Sequence, residues 1–306
     1  MTLLTSPQFC DALDRLESVT LNPRRHTAPN ARAHSLEVAE RARALAAHNG
    51  RSAKEIELLG DLGLAHDIGK ITGTANMAAS VDVLSDLGID EPTLLGLVKR
   101  HDVNLPWYLA AERGEAPTAR AWNRLARSVE MDLLALFMVA DRVDAPGGWW
   151  RNAPLRWFLD QARERELIGE LKLELPGSAS EISAGGVLVD SGKALVIRVR
   201  DRWELPKGGV EFDELVSEAA TREVREEAGV ACELVTGDEL GTVEYDVQSH
   251  RKRVHYFALS AAGTSELGPL PSATRERRWV DSADVATLEL VSETLRPIIE
   301  RALKQK

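Results

Sequence analysis

Glu223, Glu226 and Glu227 stand at i, i+3 and i+4, so a helix over this stretch presents three carboxylates on one face. Like charges at that spacing repel unless a cation binds, and carboxylate oxygens are hard ligands suited to Mg²⁺ or Mn²⁺. Just upstream, Pro206-Lys207-Gly208-Gly209 supplies a loop whose backbone carbonyls can approach a metal with no Cβ in the way. Gly229 reads as the C-cap that ends the helix. The competing structural account is a salt-bridged surface helix in which Arg222 and Arg225 pair with these acids.

The stretch from Gly208 through Glu214 and Arg222 to Val230 resembles a Nudix box, with every fixed position of that signature filled. The resemblance extends from about residue 181 to the C-terminus. It implies hydrolysis of a nucleoside diphosphate linked to another group, with cations neutralising the entering and leaving oxygens. It also implies Glu223, Glu226 and Glu227 as ligands of Mg²⁺ or Mn²⁺, joined by the Gly208 carbonyl. Arg222 is then the orienting residue, with Glu214 as its partner. The general base is left among Glu226, Glu227 and two acids outside the box, Glu244 and Glu276. The runs Trp203 to Glu211 and Val254 to Phe257 are similar to the Nudix branch that acts on dinucleoside polyphosphates. On that reading Lys207, Arg251, Lys252 and Arg253, with His250, hold a phosphate chain, and Trp203 or Tyr256 stacks on a base. The bland alternative is a basic hairpin tip and two packed aromatics.

A second series lies in the other half: His34, the adjacent His66-Asp67, and Asp141. It resembles the HD phosphohydrolase superfamily, and His66 to Lys70 (HDIGK) is a common form of its core motif. The resemblance covers roughly residues 20–165. It implies that His34, His66, Asp67 and Asp141 chelate one divalent ion, a mixed N/O set suited to Mn²⁺, Co²⁺, Ni²⁺ or Mg²⁺. The reaction it implies is phosphomonoester or phosphodiester hydrolysis, with Asp67 in the catalytic centre and Lys70 neutralising phosphate if the helix continues past His66. His101-Asp102 is a candidate for a further phosphate contact or a second metal, and His26, Arg24 and Arg25 for further phosphate contacts. A four-ligand set departs from the longer binuclear cyclic-dinucleotide phosphodiesterase pattern and favours a mononuclear site. Taken singly, each histidine is as well explained as a core or surface residue, and Asp141 as a partner of Arg142.

The elements that must position these residues change type along the chain. Residues 1–170 read as helix, with apolar positions recurring at three and four. Breaks fall at Asn22-Pro23, Asn49-Gly50, Asp90-Glu91-Pro92 and Pro146-Gly147-Gly148. His34 opens an amphipathic segment (Ala33 to His48), His66-Asp67 closes the run from Ile56, and Asp141 closes the apolar run Leu133 to Ala140. Ser52 to Glu55 reads as a capping box. Residues 171–182, containing Pro176-Gly177-Ser178, read as a linker. From 183 to 306 strands are expected at 185–189, 193–199, 233–235, 240–245, 254–259 and 277–280, with a hairpin turn at Asp190-Ser191-Gly192. A last helix is expected over 291–304. The fold class expected is multidomain: an all-α HD domain, then an α/β/α Nudix sandwich with a mixed sheet.

At 306 residues the chain is long enough for two cores. A net charge of −10 argues against non-specific duplex DNA binding, which needs a basic surface. Only Cys10 and Cys232 are present, too few for a disulfide framework and consistent with a reducing cytoplasm. The first residues lack the basic and apolar regions of a signal peptide, and no apolar run reaches membrane-spanning length. The functional expectation is a bifunctional metal-dependent phosphohydrolase acting on a small nucleotide or a nucleic-acid end. The alternatives are an RNA or DNA end-processing enzyme, and a regulatory protein in which one domain only senses a nucleotide.

Overall fold

A computed structural model describes residues 3–305 except 75, 249, 264–266, 268, 272, 273 and 275. The chain divides into two compact units, Met1–Ser178 and Ala179–Lys306.

The first unit is helical. Its described α-helices are α1 (Pro7–Arg15), α2 (Ala31–His48), α3 (Ala53–Ala65), α4 (Met77–Asp86), α5 (Pro92–Val98), α6 (Asn104–Glu112), α7 (Ala119–Ser128), α8 (Met131–Ala140) and α9 (Ala153–Glu164). The expected capping box is present: the Ser52 hydroxyl accepts from the Glu55 N–H, and the Glu55 carboxylate accepts from the Ser52 N–H. The start of α2 is set by Asn30, whose side chain accepts from the Ala33 N–H. Helix α8 is apolar all round, and every residue of it but Asp132 is buried. It therefore forms the centre of the unit, with other helices packed about it.

Helices α2 and α3 approach closely at Gly63, where a Cβ would lie 2.4 Å from the Ala39 Cα. That approach brings the start of α2 and the end of α3, and hence His34 and His66, to one place. The stretch read as a linker is only partly one. Leu173 is buried, Leu171 and Leu175 pack on the helical core, and the Lys172 N–H donates to the Asn49 side chain at 2.8 Å. The alternating leucines give this extended segment an apolar side, which the Pro-Gly-Ser reading passed over.

The second unit holds β1 (Glu181–Asp190), β2 (Lys193–Val199), β3 (Arg202–Glu204), β4 (Lys207–Gly209), α10 (Val216–Ala228), β5 (Cys232–Val247), β6 (His250–Ala261), β7 (Glu276–Val280), α11 (Ser282–Thr287) and α12 (Arg296–Lys304). The sheet is mixed, in the order β3-β2-β1-β6-β5, with β4 paired to β1 and β7 to β2. The β1–β6 pairing is parallel and the others are antiparallel. Apolar clusters lie on both faces. Val224 and Ala228 of α10 pack with Leu188, Leu195 and Leu259, while Ile298 and Ile299 of α12 pack with Val187, Val254 and Tyr256. This is a helix-sheet-helix sandwich.

Three local readings change. β1 begins at Glu181, inside the expected linker. The two strands expected over 233–245 form one strand, β5, interrupted by register shifts between Leu234 and Gly241. The last helix starts at Arg296 after a 3₁₀ turn (Glu293–Leu295), because Pro297 favours the first turn of a helix. Among the described residues no helix is long and apolar enough to cross a membrane, and both cysteines are free.

The α2–α3 approach is testable. Gly63→Ala should push the helices apart and cost about 1–3 kcal/mol, read as a lower urea midpoint at unchanged slope. An unchanged midpoint would mean that the approach is not tight.

Candidate functional site

In the first unit, helix ends converge. His34 lies in the first turn of α2, His66 caps the C-terminus of α3, Asp67 follows it, and Asp141 caps α8. His34 Nε2 is 3.2 Å from His66 Nε2, and each lies within 3.3 Å of Asp141 Oδ1. Asp67 Oδ2 is 3.4 Å from His66 Nε2 and 3.8 Å from His34 Nε2. Donor atoms about 2.1 Å from a common divalent ion lie at roughly these separations from one another. The Nδ1–H of His66 donates to the Gly63 carbonyl at 2.9 Å, which leaves Nε2 as the lone-pair nitrogen. Two imidazole lone pairs and two carboxylates facing one point form a donor set that fits a divalent cation.

The charges are strongly coupled. Burial works to lower the His66 imidazole, but the Asp67 and Asp141 carboxylates outweigh it and raise it to about 10. His34 is raised as well, with burial opposed by Asp141 and Asp144. Asp67 and Asp141 are held well below the usual carboxylate range against their burial, Asp67 mainly by His66, Asp141 mainly by Arg142 and His66.

The expected contacts around this set fall into place unevenly. Lys70 lies on a 3₁₀ turn (Ile68–Thr72) because α3 ends at Ala65, and its Nζ is 2.5 Å from Asp67 Oδ2. His101 is buried, donates from Nδ1 to the Val98 carbonyl at 2.7 Å, and sits edge-on to His66 with centroids 5.2 Å apart. Burial and the His66 charge lower its pKa. Asp102 pairs with Arg142 at 3.1 Å. His26 Nδ1 lies 3.1 Å from the carboxylate of Asp144, a residue the sequence reading did not single out. The Asp144 carboxyl is depressed to about 2, with burial outweighed by His26 and His34. Its spacing of three from Asp141 was the available signal.

In the second unit, α10 carries the acids and β4 the glycine loop. Gly208 lies directly against Glu223: a Cβ there would come 2.1 Å from the Glu223 carboxylate. Glu227 Oε2 accepts from the Lys207 N–H at 2.8 Å. Burial raises the Glu227 carboxyl, opposed by the Lys207 N–H. Glu226 stays exposed and pairs with Arg222 at 3.2 Å. The three acids of one helical face thus divide, two toward the loop and one outward. Arg222 forks onto Glu214 at 2.8 and 3.0 Å, reaches Glu223 at 2.6 Å, and donates to the Gly209 carbonyl at 2.8 Å. It fastens the helix to the loop, with Glu214 as partner. A glycine cradle beside a half-buried carboxylate pair suits an all-oxygen cation site.

The basic run 250–253 is not a hairpin tip with one charged surface. It opens β6, where side chains alternate between faces. Arg251 and Arg253 pair with Glu244 at 3.0 and 2.6 Å, while His250 and Lys252 pair with Glu181 at 2.6 and 3.3 Å. Alternation splits the four between two partners, Arg251 and Arg253 toward Glu244 and His250 and Lys252 toward Glu181. Tyr256 is 1% exposed within the apolar cluster and cannot stack on a base. Its neighbours in β6 explain this, since Val254 and Ala258 share its face. Trp203 is partly buried against the same cluster, with the Arg198 guanidinium 5.8 Å from its ring centroid. Glu244 is held low by Arg253, which suits an ion pair better than a base, and Glu276 pairs with Arg198 at 3.2 Å. Glu204, missed by the sequence reading, pairs with Lys207 at 2.9 Å close to the Glu227 side of the loop.

The two groupings differ in composition, one of imidazoles and carboxylates and one of carboxylates beside a glycine loop. The HD domain model matches residues 32–145 and the NUDIX domain model residues 179–302. Residues 179 onward are similar to Nudix hydrolase 21 of Arabidopsis thaliana, 37% identical over 32% of this chain and 50% of that one. They are also similar to an RNA pyrophosphohydrolase of Acidiphilium cryptum, 30% identical over 36% of this chain and 79% of that one. Nudix hydrolase 18 of A. thaliana is 34% identical over 45% of this chain and 77% of that one. The chain therefore belongs to the Nudix family, with an HD domain preceding its Nudix domain. It spans about half the length of the first two of its curated relatives, 50% of one and 46% of the other.

Gly208→Ala tests the cradle. The Glu223 carboxylate can rotate away from the added methyl, so stability should change by no more than about 0.5 kcal/mol. Mg²⁺ affinity measured by calorimetry should nevertheless fall about tenfold or more. Unchanged affinity would remove Gly208 and Glu223 from the metal centre.

Proposed function

We propose that the chain is a bifunctional metal-dependent phosphohydrolase. The Nudix unit cleaves a pyrophosphate link in a nucleotide or dinucleoside polyphosphate, and the HD unit hydrolyses a phosphomonoester or phosphodiester. The observation that carries this reading is the coexistence of two ligand groupings, each within its own compact unit: His34, His66, Asp67 and Asp141 in one, Gly208, Glu223 and Glu227 in the other.

In the HD unit the bound divalent ion supplies a polarised water and neutralises phosphate charge. His66 offers Nε2 because Gly63 holds its Nδ1 proton. Lys70 reaches the Asp67 carboxylate and stands where a phosphate oxygen would meet a cation. A mixed N/O set favours Mn²⁺, Co²⁺ or Ni²⁺, whereas the all-oxygen Nudix set favours Mg²⁺ or Mn²⁺. In the Nudix unit Arg222 keeps α10 and the glycine loop in register, Glu223 and Glu227 supply ligand oxygens, and exposed Glu226 joins them by turning from its pair with Arg222. Lys207 and Lys252 are the basic groups suited to substrate phosphate on this reading. The two free cysteines suit a reducing compartment such as the cytoplasm.

A second substrate reading has its own support. One relative is an RNA pyrophosphohydrolase, so a 5′-phosphorylated RNA end is an alternative to a free nucleotide. A polynucleotide substrate would show a steep salt dependence of KM and a free nucleotide a shallow one.

The test is a pair of substitutions assayed on a panel of nucleotides, dinucleoside polyphosphates and phosphorylated RNA. Glu227→Gln should lower pyrophosphate cleavage at least about a hundredfold and leave phosphate-ester hydrolysis intact. His66→Ala should do the reverse. Loss of both activities with either variant would mean one shared site. Wild-type hydrolysis by either variant would remove that residue from its centre, and His66→Ala altering only nucleotide affinity would point to a sensing domain.

A further inference from the structure

Asp144 is a buried carboxylate with no part in the ligand set described above. It follows Asp141 by three residues and is 3% exposed. Its Oδ2 lies 3.1 Å from His34 Nδ1 and 3.1 Å from His26 Nδ1. Its backbone carbonyl accepts from the Thr27 N–H at 2.8 Å, so the 26–27 segment is tied to it by main chain and side chain alike. His34 meets His66 and Asp141 through its other nitrogen, Nε2. His34 Nδ1 is fully buried and makes no hydrogen bond among the described residues: Asp144 Oδ2 lies at hydrogen-bond distance, 3.1 Å, but out of line with the N–H, so a small turn of ring or carboxylate completes the contact.

A neutral imidazole has one proton to place. If Nε2 is to offer a lone pair to a metal, the proton sits on Nδ1, and an acceptor there fixes both the tautomer and the ring plane. A carboxylate in that position also raises the basicity of Nε2. We propose that Asp144 is the positioning residue of His34, setting the affinity of the HD unit for its metal, with His26 restraining the same carboxylate from its other side. The proposal rests on the reading of His34 as a ligand.

The trio His26, His34 and Asp144 could alternatively hold an ion of its own, since one donor atom from each lies within 4.8 Å of the others. That use would require His34 to lend both nitrogens and lose its remaining proton to become an imidazolate. A neutral ring with one nitrogen ligating and the other protonated avoids this, so the positioning role is favoured.

The experiment uses the full chain carrying Glu223→Gln and Glu227→Gln, so that the HD unit is observed alone. Co²⁺ is titrated by calorimetry with the visible absorption of the ion as a second readout. The background protein should bind one Co²⁺, and His66→Ala should abolish binding. If His66→Ala binds like the background protein, the ligand reading itself fails. Asp144→Asn should weaken Co²⁺ binding about ten- to a hundredfold, and His26→Gln should weaken it less. With Zn²⁺ bound and ¹⁵N-labelled histidine, the His34 Nδ1–H resonance should be strongly downfield and should move upfield in Asp144→Asn. Binding lost in His66→Ala but within twofold of background in Asp144→Asn would overturn the proposal. So would two bound Co²⁺ falling to one in Asp144→Asn, or weakened binding with an unmoved His34 resonance. Should Asp144→Asn fail to fold, the resonance of the unsubstituted HD unit decides: a His34 Nδ1–H absent in the Zn²⁺-bound form overturns it.

Discussion

Converging donor atoms constrain both units. In the HD unit, two imidazole nitrogens 3.2 Å apart and two carboxylates meet at one buried point. Such a set needs compensating positive charge: Lys70 and Arg142 pair with Asp67 and Asp141, and protons on the histidines or a divalent cation that displaces them supply the rest. The carboxylates that raise His66 to about 10 are the same groups that would hold the ion. The rest of the unit serves this convergence: a buried α8, apolar but for Asp132, that is capped by Asp141, an Asn30 cap starting α2 just ahead of His34, and a glycine that lets α2 and α3 touch.

The Nudix unit meets the same constraint with different chemistry. Its carboxylates are spread along one helix face, and the guanidinium of Arg222 takes up part of their repulsion while joining helix to loop. The Gly208 contact with Glu223 explains the loop composition in physical terms, because any side chain there would occupy the space of the carboxylate. The two centres therefore differ in donor type, burial and countercharge. On the function proposed above, that difference would give the two sites distinct metal preferences.

Much of this was legible in the sequence because local rules decide it. The Ser52–Glu55 capping box, the Asp190-Ser191-Gly192 turn and the strand over 193–199 follow from a few adjacent residues, and all are present. The places of His66 and Asp141 at helix ends were readable from where an apolar run stops, and that of His34 from where an amphipathic segment opens. What was not legible depends on partners distant in the chain. The run 250–253 looked like one basic patch until β6 paired with β5 and β1, sending alternate residues to Glu244 and Glu181. Tyr256 looked available until two neighbours on its face joined the core. Asp144 offered only its spacing of three from Asp141, because its partners His26 and His34 lie more than a hundred positions away.

The central claim is that each unit gathers its donors around a cation. Crystals of the intact chain grown with Mn²⁺ and measured near its absorption edge would test it most directly. The account predicts one anomalous peak within about 2.3 Å of His34 Nε2, His66 Nε2 and oxygens of Asp67 and Asp141, and at least one more beside Gly208, Glu223 and Glu227. Peaks absent from both positions at saturating Mn²⁺, or bound only at exposed acids elsewhere, would contradict it.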